Sequence, residues 1–300
     1  MKTAVRPVTL AGAAWILQRW HAYWLLSKPR ITVLVWLTTL AGLVLGGWGQ
    51  SLPLGLIVAT LIGSWLAVAS ANAYNQTLEW EYDARMSRTA TRPIPSGAVS
   101  VAEGWIVATV WGVLGVAVLA LGVNSLVAWV GALSIVLYAF VYTPLKRRTH
   151  LCTAIGGVPG AIPPLAGWAA AQGTITPEAL LLFTIQYLWQ FPHFWAIAWM
   201  NLEDYSRVGF RMIPYASADG KATARLTLWY TLALVLFSLT MALYVTNPLA
   251  YVGMAVLLGL WHLCLSWRFY QNPERQTARG VLMASVLYLP VLLISIILTR

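Results

Sequence analysis

The sequence predicts an all-α polytopic membrane protein, with about nine transmembrane helices bundled around a central cavity that opens on the cytoplasmic side. Apolar residues make up 59% of the 300 residues and charged residues only 9%, which excludes an ordinary soluble domain. Apolar runs recur along the whole chain, and this leaves no room for a separate soluble domain. We therefore expect one intramembrane domain over residues 31–300, preceded by an amphipathic cytoplasmic segment, 1–30.

Nine apolar runs have the length that a bilayer-crossing helix needs. The fifth run is interrupted by glycines and by Pro159, Pro163 and Pro164, which predicts a broken or kinked helix. Such a helix is tolerated only where it is packed in protein or lines a cavity. The predicted spans are 31–49, 53–80, 102–122, 125–143, 153–171, 178–200, 224–245, 249–268 and 280–298.

The basic residues are distributed unequally between the two sides of the predicted bundle. All Lys and Arg residues except Arg300 lie in the N-terminal segment or in and beside the loops after spans two, four, six and eight. This bias predicts a cytoplasmic N-terminus and an external C-terminus, with the polar motifs on the cytoplasmic side. A net charge of +10 is also found in nucleic-acid-binding proteins, but charges placed as topology determinants indicate the lipid bilayer, and no nucleic acid, as a partner.

The most informative stretch follows the second span. Asn75, Glu79 and Asp83 are spaced four apart, so on a continuing helix they share one face, with Asn72 a turn earlier. Acidic residues at the end of a helix oppose its dipole and repel one another, a penalty that a bound cation removes. Oxygen ligands of this kind suit Mg²⁺ shared with phosphate groups. The alternative is a solvated helix end that its own arginines neutralise.

Basic and aromatic residues complete two further motifs. Arg88 and Arg92 follow the acidic residues, as expected of a loop that binds an anion. Tyr142 and Lys146 lie four residues apart at a membrane boundary, where both could reach one anionic group. Taken alone, this pair is more typical of an interfacial tyrosine followed by cytoplasmic positive charge.

The sixth span carries polar residues that need partners inside a membrane. His193, four residues after Trp189, could act as a general base, bind haem or simply pack through a hydrogen bond. A second acidic cluster follows at the cytoplasmic end of the span. Two such clusters suggest two metal sites that hold one diphosphate, the second formed by Asn201, Glu203 and Asp204.

Together these motifs resemble the intramembrane, UbiA-type prenyltransferases over nearly the whole chain. The most specific match is Asn75-xxx-Glu79-xxx-Asp83 with the Arg-Thr-xx-Arg-Pro segment that ends at Pro93, and Tyr142-xxx-Lys146 is similar to a further family motif. Two departures are that Glu79 stands where the family usually has Asp, and that the second acidic motif is weaker than Asp-xxx-Asp. Signals typical of the haem-modifying branch are 146–149, 155–157, 160–164, Gly167-Trp168 and Trp189-Gln-x-Pro-His193.

The N-terminal segment is poor in serine, unlike a mitochondrial transit peptide, which favours a bacterial plasma membrane. The resemblance implies transfer of a farnesyl group from farnesyl diphosphate to a vinyl group of haem B. It also implies the haem A synthase that would consume the product as a partner. Mg²⁺ would be held by the two acidic clusters, and the diphosphate by Arg88, Arg92, Lys146 and Tyr142. Haem would be contacted by His193, Trp189, Arg147 and Asn72.

Three other functions are compatible with parts of the pattern. A related prenyltransferase that acts on an aromatic quinone precursor would share the first acidic motif. A transporter would also contain broken helices and intramembrane polar residues, but would place them near the midplane of the bilayer. A haem-binding assembly factor would retain the aromatic residues and His193 without needing paired acidic clusters.

Overall fold

The computed structural model describes residues 12–212 and 219–300, so residues 1–11 of the predicted N-terminal segment lie outside the described residues. Within these two ranges the chain is helical and contains no strand. The long helices are α1 Gly12–Leu26, α2 Pro29–Gly46, α3 Leu54–Leu78, α5 Val101–Gly122, α6 Ser125–Val136, α8 Cys152–Gln172, α9 Pro177–Met200, α11 Lys221–Thr240, α12 Pro248–Gln271 and α13 Arg275–Thr299. Short helices are α4 Trp80–Asp83, α7 Thr143–Leu145 and α10 Leu202–Arg207.

The fold class is confirmed as a polytopic membrane bundle. Seven helical spans in the described ranges are long and apolar enough to cross a bilayer, one of them the combined span Ser125–Leu145. The other two predicted spans are α8 and α9, of 21 and 24 residues. At 1.5 Å per residue both reach roughly 30 Å, but glycines and prolines in α8 and polar residues in α9 lower their hydropathy.

The helices pack as two groups that meet where α8 contacts α9. The first group joins α2, α3, α5, α6 and α8, and the second joins α9, α11, α12 and α13. A cavity of about 40 Å³ lies inside the first group, with Thr39, Ser64 and Ser134 among its mostly apolar lining. The opening of a larger cavity to the cytoplasm stays a prediction.

Helices α2 and α8 approach each other closely because glycines face the contact. A Cβ atom on Gly42 would overlap the Pro164 carbonyl, and one on Gly167 would overlap the Thr39 carbonyl. Small residues at such crossings let backbones approach in a membrane, where dispersion replaces the hydrophobic effect as the driving force.

Helix α8 runs continuously from Cys152 to Gln172 with its three prolines inside, so the expected break is not present. Pro164 has no N–H to donate to the Gly160 carbonyl four residues earlier. The Gln186 side chain on α9 donates to that carbonyl at 3.1 Å instead. Gln190 likewise donates to the Gly157 carbonyl at 2.9 Å. The polar residues of α9 thus stabilise the proline-rich helix.

Helix α1 lies beside the bundle, against the start of α5. Arg19 forms an ion pair with Glu103 at the start of α5 and donates to the Ala98 carbonyl at 2.7 Å. Trp20 and Trp24 are exposed. An interfacial position for this helix fits these contacts, and the division at residue 30 stays a prediction.

Candidate active site

The first acidic cluster lies where α3 ends. The predicted continuous helix is interrupted at Glu79, whose φ of −107° separates α3 from α4. Backbone bonds from Glu79 to the Asn75 carbonyl (3.1 Å) and from Asp83 to the Glu79 carbonyl (2.8 Å) nevertheless keep the residues one turn apart. Glu79 is 5% exposed and Asp83 1%, so the alternative of a solvated helix end is wrong for both.

Glu79 forms a buried ion pair with Lys146. Lys146 Nζ donates to Glu79 Oε2 at 2.8 Å, and Asn75 Nδ2 donates to the same oxygen at 2.7 Å. Thr143, at the start of α7, accepts a second bond from Asn75 Nδ2 at 3.1 Å. The other carboxylate oxygen, Glu79 Oε1, is buried and has no hydrogen-bond partner among the described residues. This oxygen is therefore available to coordinate a cation.

Asp83 forms a second ion pair, with Arg92. Arg92 NH1 donates to Asp83 Oδ2 at 2.6 Å, and the Thr89 hydroxyl donates to the Asp83 backbone carbonyl at 2.8 Å. The basic loop therefore folds back over the acidic residues. Arg88 points elsewhere: it is exposed and lies 5.9 Å from the ring of Tyr205.

Lys28, which precedes α2, also reaches this cluster. Its Nζ donates to Asn75 Oδ1 at 2.7 Å. The loop that carries Lys28 is held against α3, because Asn72 donates to the Ser27 carbonyl at 3.1 Å and Gln76 donates to the Leu26 carbonyl at 2.6 Å. The sequence analysis assigned no role to Lys28, Thr143 or Gln76. The Asn72 amide, predicted to contact haem, is used within the protein.

The cluster contains more basic than acidic side chains. Burial, together with the positive charges of Arg92 and Lys146, lowers the pKa of Lys28 well below its ordinary value. Burial also lowers the pKa of Lys146, but the Glu79 carboxylate, Tyr142 and Tyr138 together outweigh it, so this pKa lies above its ordinary value. An anion bound beside these three basic groups would offset their mutual repulsion and favour the charged form of Lys28.

Tyr142 lies against Lys146 at the end of a π-helical segment, Leu137–Tyr142, that links α6 to α7. Lys146 Nζ is 4.7 Å from the centroid of the Tyr142 ring. Gly156 on α8 admits that ring, because a Cβ atom there would lie 2.5 Å from Tyr142 Cδ2. Single-turn π segments often occur at functional sites.

The second acidic cluster reaches the same loop through only one of its carboxylates. Ser87 donates to Asp204 Oδ2 at 2.9 Å, and Arg207 lies 3.4 Å from Asp204 Oδ1. The Asn201 amide donates to the Ile197 carbonyl at 2.7 Å, within its own helix end. Glu203 is exposed. Asp204 is thus the member of this cluster that the structure brings to the site.

Trp189 and His193 lie together at the contact between α9 and α13. Their rings stack at 4.8 Å, Trp189 Nε1 donates to the Ser285 carbonyl at 2.6 Å, and His193 Nδ1 and the Ser285 hydroxyl are 2.9 Å apart. They contact α13, whereas Gln186 and Gln190 donate to carbonyls of α8. Arg147 is exposed and lies 4.4 Å from the Tyr82 ring centroid.

The oxygen atoms of the first cluster fit a magnesium ion that is shared with a substrate. No group of three or more His, Cys, Asp or Glu side chains in the described ranges could enclose a metal ion alone. Mg²⁺ is commonly held by one or two carboxylates together with phosphate oxygens and water. The amide of Asn75 and the carboxylates of Asp83 and Glu79, the latter with its unpartnered Oε1, match that donor set.

Buried carboxylates among basic side chains, at one end of an apolar bundle, define a membrane protein built to bind an anionic head group beside the bilayer. The UbiA prenyltransferase family matches residues 35–288. The chain belongs to this family.

Similar proteins agree with this assignment over nearly their whole length. The chain is 42% identical over 275 residues to a protoheme IX farnesyltransferase of Solibacter usitatus, and the aligned region covers 89% of this chain and 94% of that protein. It is 40% identical over 282 residues to the protoheme IX farnesyltransferase of Flavobacterium psychrophilum, where the aligned region covers 92% of this chain and 93% of that protein.

Solved structures share the fold at low sequence identity. A digeranylgeranylglyceryl phosphate synthase is similar with a TM-score of 0.77 at 16% identity, over 94% of this chain and 98% of that one. A UbiA homologue from Archaeoglobus fulgidus bound to GPP and Mg²⁺ has a TM-score of 0.65 at 15% identity, over 92% and 99%.

Proposed function

We propose that the protein transfers the farnesyl group of farnesyl diphosphate to a vinyl group of haem B in a Mg²⁺-dependent reaction. The relatives named protoheme IX farnesyltransferase, up to 42% identical over most of both chains, favour haem over an aromatic quinone precursor as the acceptor. The observation that carries the chemistry is the buried, unpartnered Glu79 Oε1 beside three basic side chains.

Asn75, Glu79 and Asp83 would hold one Mg²⁺, because each presents an oxygen at consecutive turns of the chain. Asp204, with Asn201 or Glu203, would hold a second, and the Ser87 contact brings Asp204 toward the same loop. When bound, Mg²⁺ supplies positive charge that stabilises the departing diphosphate.

The basic side chains would bind the diphosphate and stabilise its developing negative charge. Lys146 and Arg92 already contact the two carboxylates, so a small rotation would turn them toward phosphate oxygens. The Tyr142 hydroxyl would donate a hydrogen bond to the same group. Arg88, exposed above Tyr205, would close over the anion from the solvent side.

Haem B would bind as the acceptor substrate, with Trp189, His193, Arg147 and Asn72 as the residues predicted to contact it. The stacked Trp189–His193 pair offers a flat aromatic surface, and Arg147 offers positive charge at the cytoplasmic boundary. Asn72 would act indirectly, since its amide holds the loop that carries Lys28.

The proposed reaction breaks the bond between the allylic carbon of the farnesyl chain and its diphosphate oxygen. A carbon–carbon bond forms to the outer carbon of the vinyl group, and water adds a hydroxyl group to the inner carbon and releases a proton. The product is haem B enlarged by one farnesyl group and one hydroxyl group. The apolar helices would shield the allylic cation from premature capture by water.

The protein is a multi-pass membrane protein, and we place it in a bacterial plasma membrane. The relatives cited are bacterial, which supports this location. An odd number of spans with basic loops on one face supports a cytoplasmic N-terminus and an external C-terminus. A product that stays in the bilayer would pass to a membrane enzyme, and haem A synthase is the partner we propose.

Replacing the acidic ligands tests this assignment. Purified protein in lipid nanodiscs would receive labelled farnesyl diphosphate and Mg²⁺ with either haem B or 4-hydroxybenzoate. We expect label in haem only, and none in Asp83→Asn, a nearly isosteric change. Full activity of Asp83→Asn would contradict the metal assignment, and label in 4-hydroxybenzoate would favour the quinone pathway.

A further inference from the structure

Each proposed ligand of the first Mg²⁺ is contacted by its own basic side chain. Lys146 binds Glu79 and Arg92 binds Asp83, both as ion pairs. The third ligand, Asn75, is neutral and needs no counterion, yet Lys28 donates to its oxygen at 2.7 Å. The Lys28 ammonium group therefore donates to a neutral oxygen rather than to either carboxylate.

The backbone before Lys28 is held in place by side-chain hydrogen bonds. Residues one turn apart on α3 hold the backbone directly before it, since Asn72 donates to the Ser27 carbonyl and Gln76 donates to the Leu26 carbonyl. The Thr32 hydroxyl donates to the Ser27 carbonyl as well, at 2.6 Å. Three side-chain donors thus fix the backbone position from which Lys28 extends toward the acidic cluster.

The backbone at Lys28 is in an unfavourable conformation. Its φ of 51° and ψ of 63° are left-handed, and it is the only non-glycine residue in ranges 12–212 and 219–300 with a positive φ. Lysine gains nothing locally from this conformation, whereas glycine adopts it freely. Strained residues of this kind persist mainly at ligand sites, where the surrounding structure enforces them.

We propose that Lys28 is a further diphosphate-binding residue, which holds Asn75 in position with one N–H and donates the others to a phosphate oxygen. This inference rests on the proposed function and adds a residue from the chain segment before the first span to the anion site. An ammonium group has three donors, and the Asn75 bond uses one of them. A diphosphate between Lys28, Lys146 and Arg92 would also relieve the repulsion among these three groups.

A purely structural role makes a different prediction. If Lys28 served only to join the loop to α3, Lys28→Gly would remove one hydrogen bond, relieve the left-handed strain and leave anion binding unchanged. If Lys28 binds the diphosphate, Lys28→Gly will melt at the same temperature or higher and yet bind the anion more weakly. Stability and binding therefore move in opposite directions only under our proposal.

The test is calorimetric titration of inorganic pyrophosphate with Mg²⁺ into wild-type protein, Lys28→Gly and Lys28→Met in nanodiscs. Loss of a charge-assisted bond to phosphate should raise the pyrophosphate Kd by about tenfold or more in both variants. The matched control is Arg30→Met, which removes an exposed charge two residues away and should leave the Kd unchanged. Turnover should show a raised KM for farnesyl diphosphate and an unaltered KM for haem.

The outcomes separate the two claims. Wild-type binding of pyrophosphate with an unchanged Kd in Lys28→Gly would overturn the role of Lys28 and leave the proposed function intact. Failure of the wild-type protein to bind pyrophosphate with Mg²⁺ would contradict the proposed function itself. A matching loss of affinity in Arg30→Met would show a general charge effect and also overturn the specific role.

Discussion

Removing the Lys146 ammonium group should strongly destabilise the ligand-free protein. Lys146→Met keeps the length of the side chain but deletes the donor that lies 2.8 Å from Glu79 Oε2. The two side chains are 10% and 7% exposed, so the remaining carboxylate would be left largely without water. Breaking a buried ion pair on one side typically costs about 3–5 kcal/mol of unfolding free energy.

The lower end of that range applies here. Asn75 Nδ2 donates to the same Glu79 oxygen at 2.7 Å, so the carboxylate keeps one hydrogen bond when Lys146 is replaced. We therefore expect Lys146→Met to cost about 3 kcal/mol. In Lys146→Met/Glu79→Met both charges of this ion pair are removed, so the double variant should be more stable than the sum of the single changes predicts, by about 2–3 kcal/mol.

Unfolding of the ligand-free protein by SDS in mixed micelles measures these free energies. Arg148→Met, an exposed neighbour, is the control and should stay within about 0.5 kcal/mol of wild type. Single variants as stable as the wild type would refute the buried ion pair. So would a double variant whose loss of unfolding free energy equals the sum of the losses in the two single variants.

Three further changes probe the contacts around the site. Gly156→Ala places a Cβ 2.5 Å from Tyr142 Cδ2, so it should cost about 1–3 kcal/mol in unfolding and lower kcat by displacing the ring. Gln186→Leu leaves the Gly160 carbonyl without the donor that replaces the missing proline N–H, which should cost about 1–3 kcal/mol. His193→Ala should weaken haem binding and alter the haem absorption spectrum.

Each of these changes has a matched control. Gly55→Ala adds a Cβ with no described atom within 4 Å, so it should be neutral or stabilise by up to about 1 kcal/mol. Thr184→Val removes an exposed hydroxyl that binds only its own helix, and stability should not change. His193→Gln keeps a polar partner for Ser285. Restored haem affinity in this variant, or an unchanged spectrum in His193→Ala, would show that His193 has only a packing role.

The positions of the spans follow directly from the sequence, because crossing a bilayer imposes a length and a charge asymmetry that a single chain displays. The last two predicted spans, 249–268 and 280–298, lie within α12 (Pro248–Gln271) and α13 (Arg275–Thr299). The continuity of α8 was not predictable from its three prolines, since the donor that replaces a lost backbone bond comes from α9.

The acidic cluster was predictable in composition but not in geometry. A spacing of four brings Asn75, Glu79 and Asp83 together. The helix is nevertheless interrupted at Glu79, and this residue contacts Lys146, which lies 67 positions further along the chain. Lys28 was beyond sequence reasoning because it is one of several basic residues before the first span. A lysine preceding Pro29, in a segment that must turn sharply between two helices, is the signal that could have suggested it.

Extraction of haem from membranes that contain the protein tests the central claim most directly. Membranes supplied with haem B, farnesyl diphosphate and Mg²⁺ would be extracted and their haems separated by mass. We predict a Mg²⁺-dependent species heavier than haem B by one farnesyl and one hydroxyl group, present with the wild-type protein and absent with Asp83→Asn. Unchanged haem B as the only haem, despite bound haem and consumed farnesyl diphosphate, would contradict the account.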